Sequence, residues 1–268
     1  MLKSLPDVDF KDRLSVQKVI RLTDELLYYA YETEQTEERP VSSLVEVLDE
    51  VDRVNIHHAR GMKNHWTHAR RIGVISRTYD LYREGDNCNF LARAVQARLV
   101  KYVSAKLDAN PNFARKGGRP LLDYALRPHG NAPFHMQHQS GRDNPSVSVD
   151  MVLLLLERGA DPNQPVNLND GKSVWQLFLI SIYEIVSRAR SSGADPSASL
   201  MNAWYRSCEL LVQHGARRTS YLLKGRLDLT DDSALAYVFG PARAEALMAL
   251  IDEKEREEQQ GKSSCTLM

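Results

Sequence analysis

The sequence predicts an all-α protein, with a helical N-terminal region followed by an irregular stack of repeated helix pairs. Three observations predict it. Apolar residues recur at three- and four-residue intervals along much of the chain, the spacing of one helix face. A leucine-rich helix closed by Gly-Ala occurs twice, at Met151–Ala160 and Ser207–Ala216. Between and before these segments, Gly118 and Gly171 each mark a turn that opens a new apolar run.

The N-terminal region is taken as residues 1–86. Val16, Val19, Ile20, Leu26, Leu27 and Ala30 follow Ser15, a suitable N-cap, and form one stripe. The charged stretch Glu32–Pro40 reads as a break. A second helix follows Ser42 or Ser43, with Leu44, Val47, Leu48, Val51 and Val54 on one side. Ile72–Leu81 is expected to form a third.

Residues 87–252 carry the repeat. Met151-Val-Leu-Leu-Leu-Leu-Glu-Arg-Gly-Ala-Asp-Pro-Asn163 and Ser207-Cys-Glu-Leu-Leu-Val-Gln-His-Gly-Ala216 each end on a glycine suited to the left-handed position after a helix. A weaker copy ends at Val103–Asn112. Gly118-Arg-Pro-Leu-Leu-Asp-Tyr-Ala125 and Gly171-Lys-Ser-Val-Trp-Gln-Leu-Phe178 supply a turn, a small or rigid residue and the first turn of a helix. Gly193-Ala-Asp-Pro196 imitates the tag without preceding leucines and reads as a helix cap inside an insertion. Asp231–Glu258 reads as a short and a longer helix parted at Gly240–Pro241. The polar end, 253–268, is expected to be a disordered tail.

These two elements together resemble the ankyrin repeat, in which G-x-T-P-L-H-x-A opens the first helix and V-V-x-L-L-L-x-x-G-A-D-x-N closes the second. The resemblance implies about three or four stacked units, since no single unit covers its own apolar face. The spacing departs from the family. Gly118 to Gly171 is 53 positions and Gly159 to Gly215 is 56, against a period of about 33. The excess falls at Arg127–Pro145 and at Tyr183–Leu200, where a helix is expected to lengthen and then loop. Pro120-Leu121 and Ser173-Val174 stand in place of Thr-Pro, and Asp123 and Gln176 in place of the motif histidine. With the run Asn87–Val103 and the helical preamble, the chain is similar to the C-terminal helical and ankyrin portion of fungal NACHT-type signalling NTPases. The NTPase module of that family has no counterpart in these residues.

Composition narrows the function. Hydrophobic residues make up 43% and charged residues 26%, values of a chain that folds around a core. Lys+Arg and Asp+Glu balance at 35 each, which argues against a dedicated nucleic-acid binder. Arg60, Lys63, Arg70, Arg71, Arg77 and Arg83, interleaved with Trp66 and Tyr79, read as a solvated helix face. Cys88, Cys208 and Cys265 lie far apart with no CxxC spacing, which fits a reducing compartment and no disulfide framework. The N-terminus carries no apolar signal region. A cytoplasmic location is therefore expected.

Catalytic motifs fall short. Gly171-Lys-Ser173 and Gly261-Lys-Ser263 need a glycine five positions earlier to cradle phosphate, and Val166 and Arg256 stand there. There is no GxSxG elbow and no HExxH. His57, His58, His65 and His68 form one cluster and His129, His135 and His138 another, but neither completes a zinc ligand set. Neither a cofactor nor a metal is expected. Cys265-Thr-Leu-Met268 fits the C-a-a-X pattern for a farnesyl group, without a polybasic second signal. Prenylation at Cys265 would give weak, reversible membrane association.

The expected function is that of a non-enzymatic scaffold or sensor module binding a protein partner. The ankyrin resemblance places binding on the finger turns and first helices, at Asp123, Tyr124, Asp170, Lys172 and Gln176. Leu153–Leu156, Leu210–Val212 and Cys208 are assigned to the core. The competing readings are a metal-dependent enzyme built on the histidine clusters and a remnant of a NACHT-type NTPase without independent activity.

Overall fold

The computed structural model describes residues 13–36, 41–59, 90–115, 119–127, 147–166, 171–219, 222 and 229–265; side chains at 13–21, 24, 41, 55–59, 258 and 261–265 lie outside the description. The described residues are all-α. The helices are α1 (Arg13–Thr36), α2 (Val41–Ala59), α3 (Phe90–Gln96), α4 (Val100–Ala109), α5 (Leu121–Leu126), α6 (Val149–Glu157), α7 (Val174–Ser191), α8 (Ala198–Gln213), α9 (Asp231–Phe239) and α10 (Pro241–Cys265), with a 3-10 turn at Pro111–Arg115. None of them is long and apolar enough to cross a membrane. The helix expected at Ile72–Leu81 lies outside the described residues.

The chain forms two compact units that part between Asn110 and Pro111. The expected boundary at 86 therefore falls inside the first unit, because α3 and α4 pack with each other and α2 packs on α4. Every residue of α3 is buried, Arg93 included. Such a helix requires neighbours on all sides. The start of α4 has no side-chain cap from Leu99. Glu34 of α1 does that work instead: its carboxylate accepts from the backbone N–H groups of Lys101 (3.2 Å) and Tyr102 (3.0 Å). A carboxylate suits the positive end of the helix dipole. α1 continues through Thr36, beyond the break expected from Glu32, because Glu34 is held at this cap.

In the second unit, α5, α7 and α9 pack in series, and so do α6, α8 and α10; α5 also packs on α6, and α9 on α10. Local sequence closes the helix ends. Ser148, Ser173, Ser197 and Thr230 cap α6, α7, α8 and α9, and Ser173 and Thr230 complete reciprocal capping boxes with Gln176 and Ser233. At the C-terminal ends, Ala160, Ala194 and Ala216 donate to the carbonyls of Leu155, Ala189 and Leu211, while Gly159, Gly193 and Gly215 donate to Leu156, Arg190 and Val212. This is the Schellman pairing, and the glycines have φ of 83°, 76° and 87°, where a Cβ is strained. Gly193 thus ends the lengthened helix as expected. The weaker copy near Asn112 differs: its helix closes at Asn110 with φ −148°, without a left-handed residue.

The core expectation holds in part. Leu155, Leu156, Leu210, Leu211, Val212 and Cys208 are buried, with Trp175 and Trp204 as the largest filled volumes beside them. Leu153 and Leu154 are only half-buried, since four successive helical residues cannot all face one side. The polar tail is corrected more fully. α10 runs to Cys265, so most of 253–268 is helical rather than disordered. Its Glu, Lys, Arg and Gln residues are good helix formers, and extending a helix already nucleated on Ala244, Leu247 and Ile251 costs little. Lys254 pairs with Glu257 one turn on.

Candidate functional site

The tags in the second unit do more than end helices. After Gly159-Ala160, the Asp161 carboxylate accepts from the Asn163 backbone N–H at 2.7 Å, which fixes a tight turn. The Asn163 amide then reaches the corresponding tag 52 residues on. Its Nδ2 donates to the Gly215 carbonyl (2.6 Å), and its Oδ1 accepts from the Arg217 N–H (2.9 Å). One asparagine side chain therefore ties the turn after α6 to the backbone just past α8. Below it, Arg115 Nε donates to the carbonyl of Gly159 at 3.3 Å, the matching position of the preceding tag.

Past each tag the chain doubles back. Val166 N–H donates to the Lys172 carbonyl and Val174 N–H to the Gln164 carbonyl, with Pro165 and Ser173 forming an antiparallel bridge. After the second tag, Leu222 N–H donates to the Leu229 carbonyl. Both turns lead into a capped helix, α7 and α9. The starts of these helices are also joined. Trp175 Nε1 donates to Asp231 Oδ2 (3.1 Å), and Thr219 bonds both oxygens of the same carboxylate. Burial pushes the Asp231 carboxyl up, and the bonds from Thr219 and Trp175 pull it back.

The sequence-derived site residues do not all reach the surface. Asp123 is fully buried and Tyr124 nearly so, so neither offers the binding surface expected of them on a finger turn or first helix. Asp123 lies between two guanidinium groups, Arg119 Nε at 2.5 Å and Arg127 Nε at 2.6 Å, with a second bond from Arg127 at 2.8 Å. Arg119 also stacks over the Tyr124 ring, 3.9 Å from its centroid. The position where the motif has histidine is used here to close a short helix on itself, and arginines at i−4 and i+4 are what draw it inward. Gln176 is half-buried, and its side chain serves the capping box. Lys172 is half-buried at the base of the turn. Asp170 lies outside the described residues. Cys265 is the last residue of α10, with its side chain outside the description.

A part-exposed patch on α7 and α9 was not singled out by sequence. Tyr183 of α7 and Tyr237 of α9 stack at 4.9 Å between centroids, tilted by 48°. Arg190 lies over the Tyr237 ring at 4.8 Å, donates to the Tyr237 carbonyl at 2.6 Å and pairs with Asp195 at 3.0 Å. Tyr237 remains 37% exposed. Glu184 and Arg188 flank the patch on α7. Tyr183 and Arg190 are seven positions apart on one helix face, a visible signal. Their meeting with Tyr237, 54 positions from Tyr183, had none.

The described cysteine and histidine serve packing and a helix end. Cys208 is fully buried, and burial raises its thiol pKa far above the usual range. His214 closes α8, its Nδ1 2.8 Å from the Leu210 carbonyl. Among the described residues no group of three His, Cys, Asp or Glu side chains is placed to hold a metal. His57, His58, His65, His68, His129, His135 and His138 lie outside the described side chains. Comparison of the chain with protein-family models, with characterised proteins and with solved structures gives no match.

Proposed function

We propose that this chain is a non-enzymatic, ankyrin-type repeat module that holds a protein partner on the face formed by α7 and α9. The observation that carries this reading is the Asn163 rung between the two Gly-Ala tags. It links the turn after one tag to the backbone of the next, the kind of nearest-neighbour contact on which a repeat stack depends. The doubled-back turns and capped first helices after each tag support the same reading.

Within that stack the Tyr183, Arg190 and Tyr237 patch has the composition that dominates protein interfaces. Tyrosine and arginine offer large amphipathic contact area, and the mutual stacking already holds these side chains in place, so little side-chain freedom is lost on binding. The resemblance to the helical and ankyrin part of NACHT-type NTPases belongs to this proposal, and a sensor role follows from it by fold analogy.

The test is affinity capture with the intact chain and with an Arg190→Ala, Tyr237→Ala double variant. A partner retained by the wild type and lost by a variant of unchanged melting temperature supports the reading. The same captured proteins from both, or none above the bead control, would remove the α7–α9 face as the site.

A further inference from the structure

In the first unit, ionisable groups gather where α2 meets α4. Asp49 Oδ1 accepts two bonds from α4, from the Tyr102 hydroxyl at 3.0 Å and from Lys106 Nζ at 2.9 Å. Lys106 also lies 6.0 Å from the Tyr102 ring centroid. One turn further along α2, Asp52 is half-buried within the field of the same lysine and has no hydrogen bond among the described residues. Two carboxylates thus face one ammonium and one phenol. Glu50 and Arg53, the other charged residues of this stretch of α2, pair with each other at 2.6 Å on the exposed side.

We propose that the α2–α4 joint is a proton-operated latch, closed when Asp52 carries a proton and loosened when Asp52 is charged. The charged form has two costs: it is partly withdrawn from water, and it repels Asp49 at i,i+3. The attraction of Lys106 opposes both without cancelling them. The neutral form removes both costs and leaves Lys106 to Asp49. Tyr102 stays a hydrogen-bond donor throughout, because burial and the two aspartates raise its hydroxyl pKa.

The direction follows from linkage. Burial, with the repulsion of Asp49 added and the attraction of Lys106 opposing, pushes the Asp52 carboxyl up to about 6 from an ordinary 3.8. The folded form then binds the proton more tightly than the unfolded chain. Its stabilisation is complete below the ordinary value and is lost as pH rises through about 6.

Hydrogen–deuterium exchange of the full chain tests this at pH 5.0, 6.0 and 7.5, with rates corrected for intrinsic pH dependence. Peptides from 41–59 are expected to open about tenfold more readily at pH 7.5 than at pH 5.0. Peptides from α8 are expected to stay level. Asp52→Asn should remain protected at every pH. Lys106→Met, which removes the facing cation, should shift the midpoint upward and covers the case in which Asp52→Asn fails to fold. A flat wild-type profile, an unmoved midpoint in Lys106→Met, or a dependence that persists in Asp52→Asn would overturn the latch; the last would assign the titration elsewhere, His57 and His58 of α2 included.

Discussion

The two units close their helix ends by different means. In the second unit each closure is local: Ser148, Ser173, Ser197 and Thr230 start helices, and Gly159, Gly193 and Gly215 end them. In the first unit α4 begins without a local cap and borrows Glu34 from α1, 67 positions from Lys101. The turn between α3 and α4 makes the same Schellman bonds as the tags, Leu99 to Ala94 and Arg98 to Val95. There, however, the left-handed residue is Arg98, with φ 65°. Local closure lets a helix end form before its neighbours arrive. Borrowed closure makes the helix depend on the assembled unit, and it places ionisable groups where the assembly is held.

The largest expected effect tests local closure where it is buried, at α5 in the second unit. Asp123→Ala leaves Arg119 and Arg127 facing each other in a buried site. It is expected to cost about 3–5 kcal/mol in denaturant unfolding followed by fluorescence of Trp175 and Trp204. A loss below about 1 kcal/mol would mean that the pair behaves as a surface bridge.

A smaller effect compares the caps directly. Glu34→Ala strands two N–H groups at the start of α4 and is expected to cost about 1–3 kcal/mol. Ser173→Ala, the local equivalent, is expected to cost about 1 kcal/mol. The exchange pattern should differ too, with Glu34→Ala loosening α4 and α1 together and Ser173→Ala fraying only the first turn of α7. Fraying confined to α4 in Glu34→Ala would contradict the shared closure.

The smallest effect has the opposite sign. Arg98→Gly relieves a left-handed arginine and is expected to stabilise the first unit by at most about 1 kcal/mol, offset by the greater freedom of glycine when unfolded. Gly215→Ala at the matching position of the second unit should lose a similar amount, about 1 kcal/mol. Thermal melts of both variants check the pair. Destabilisation by Arg98→Gly would show that the side chain of Arg98 outweighs the strain of its backbone.

The Gly-Ala tags and the capping residues were legible because each is a short-range signal. A glycine after an apolar helix has one low-strain use, and Gly159, Gly193 and Gly215 all serve it. The lengthened α7, its cap at Gly193 and the division at Gly240–Pro241 were readable for the same reason. The polar end was misread because low hydrophobicity predicts disorder in an isolated segment, whereas 253–265 continues a helix nucleated on buried Ala244, Leu247 and Ile251. Asp123 was misread because motif position suggested a finger, while Arg119 and Arg127 at i−4 and i+4 turn it inward. The Tyr183–Tyr237 pair joins two helices from different layers, and no local pattern records such a meeting.

By itself the sequence determined the helical class, the periodic core and the positions at which helices in the stack stop. Each of these depends on backbone geometry and side-chain spacing within a turn or two. Only the tertiary structure decided which charged residues are buried, that Asn163 joins Gly215 and Arg217, and that Asp49 meets Lys106 and Tyr102. The Asn163 and Asp49 contacts join groups about 50 positions or more apart, and burial and pairing of that kind arise only once the helices have packed.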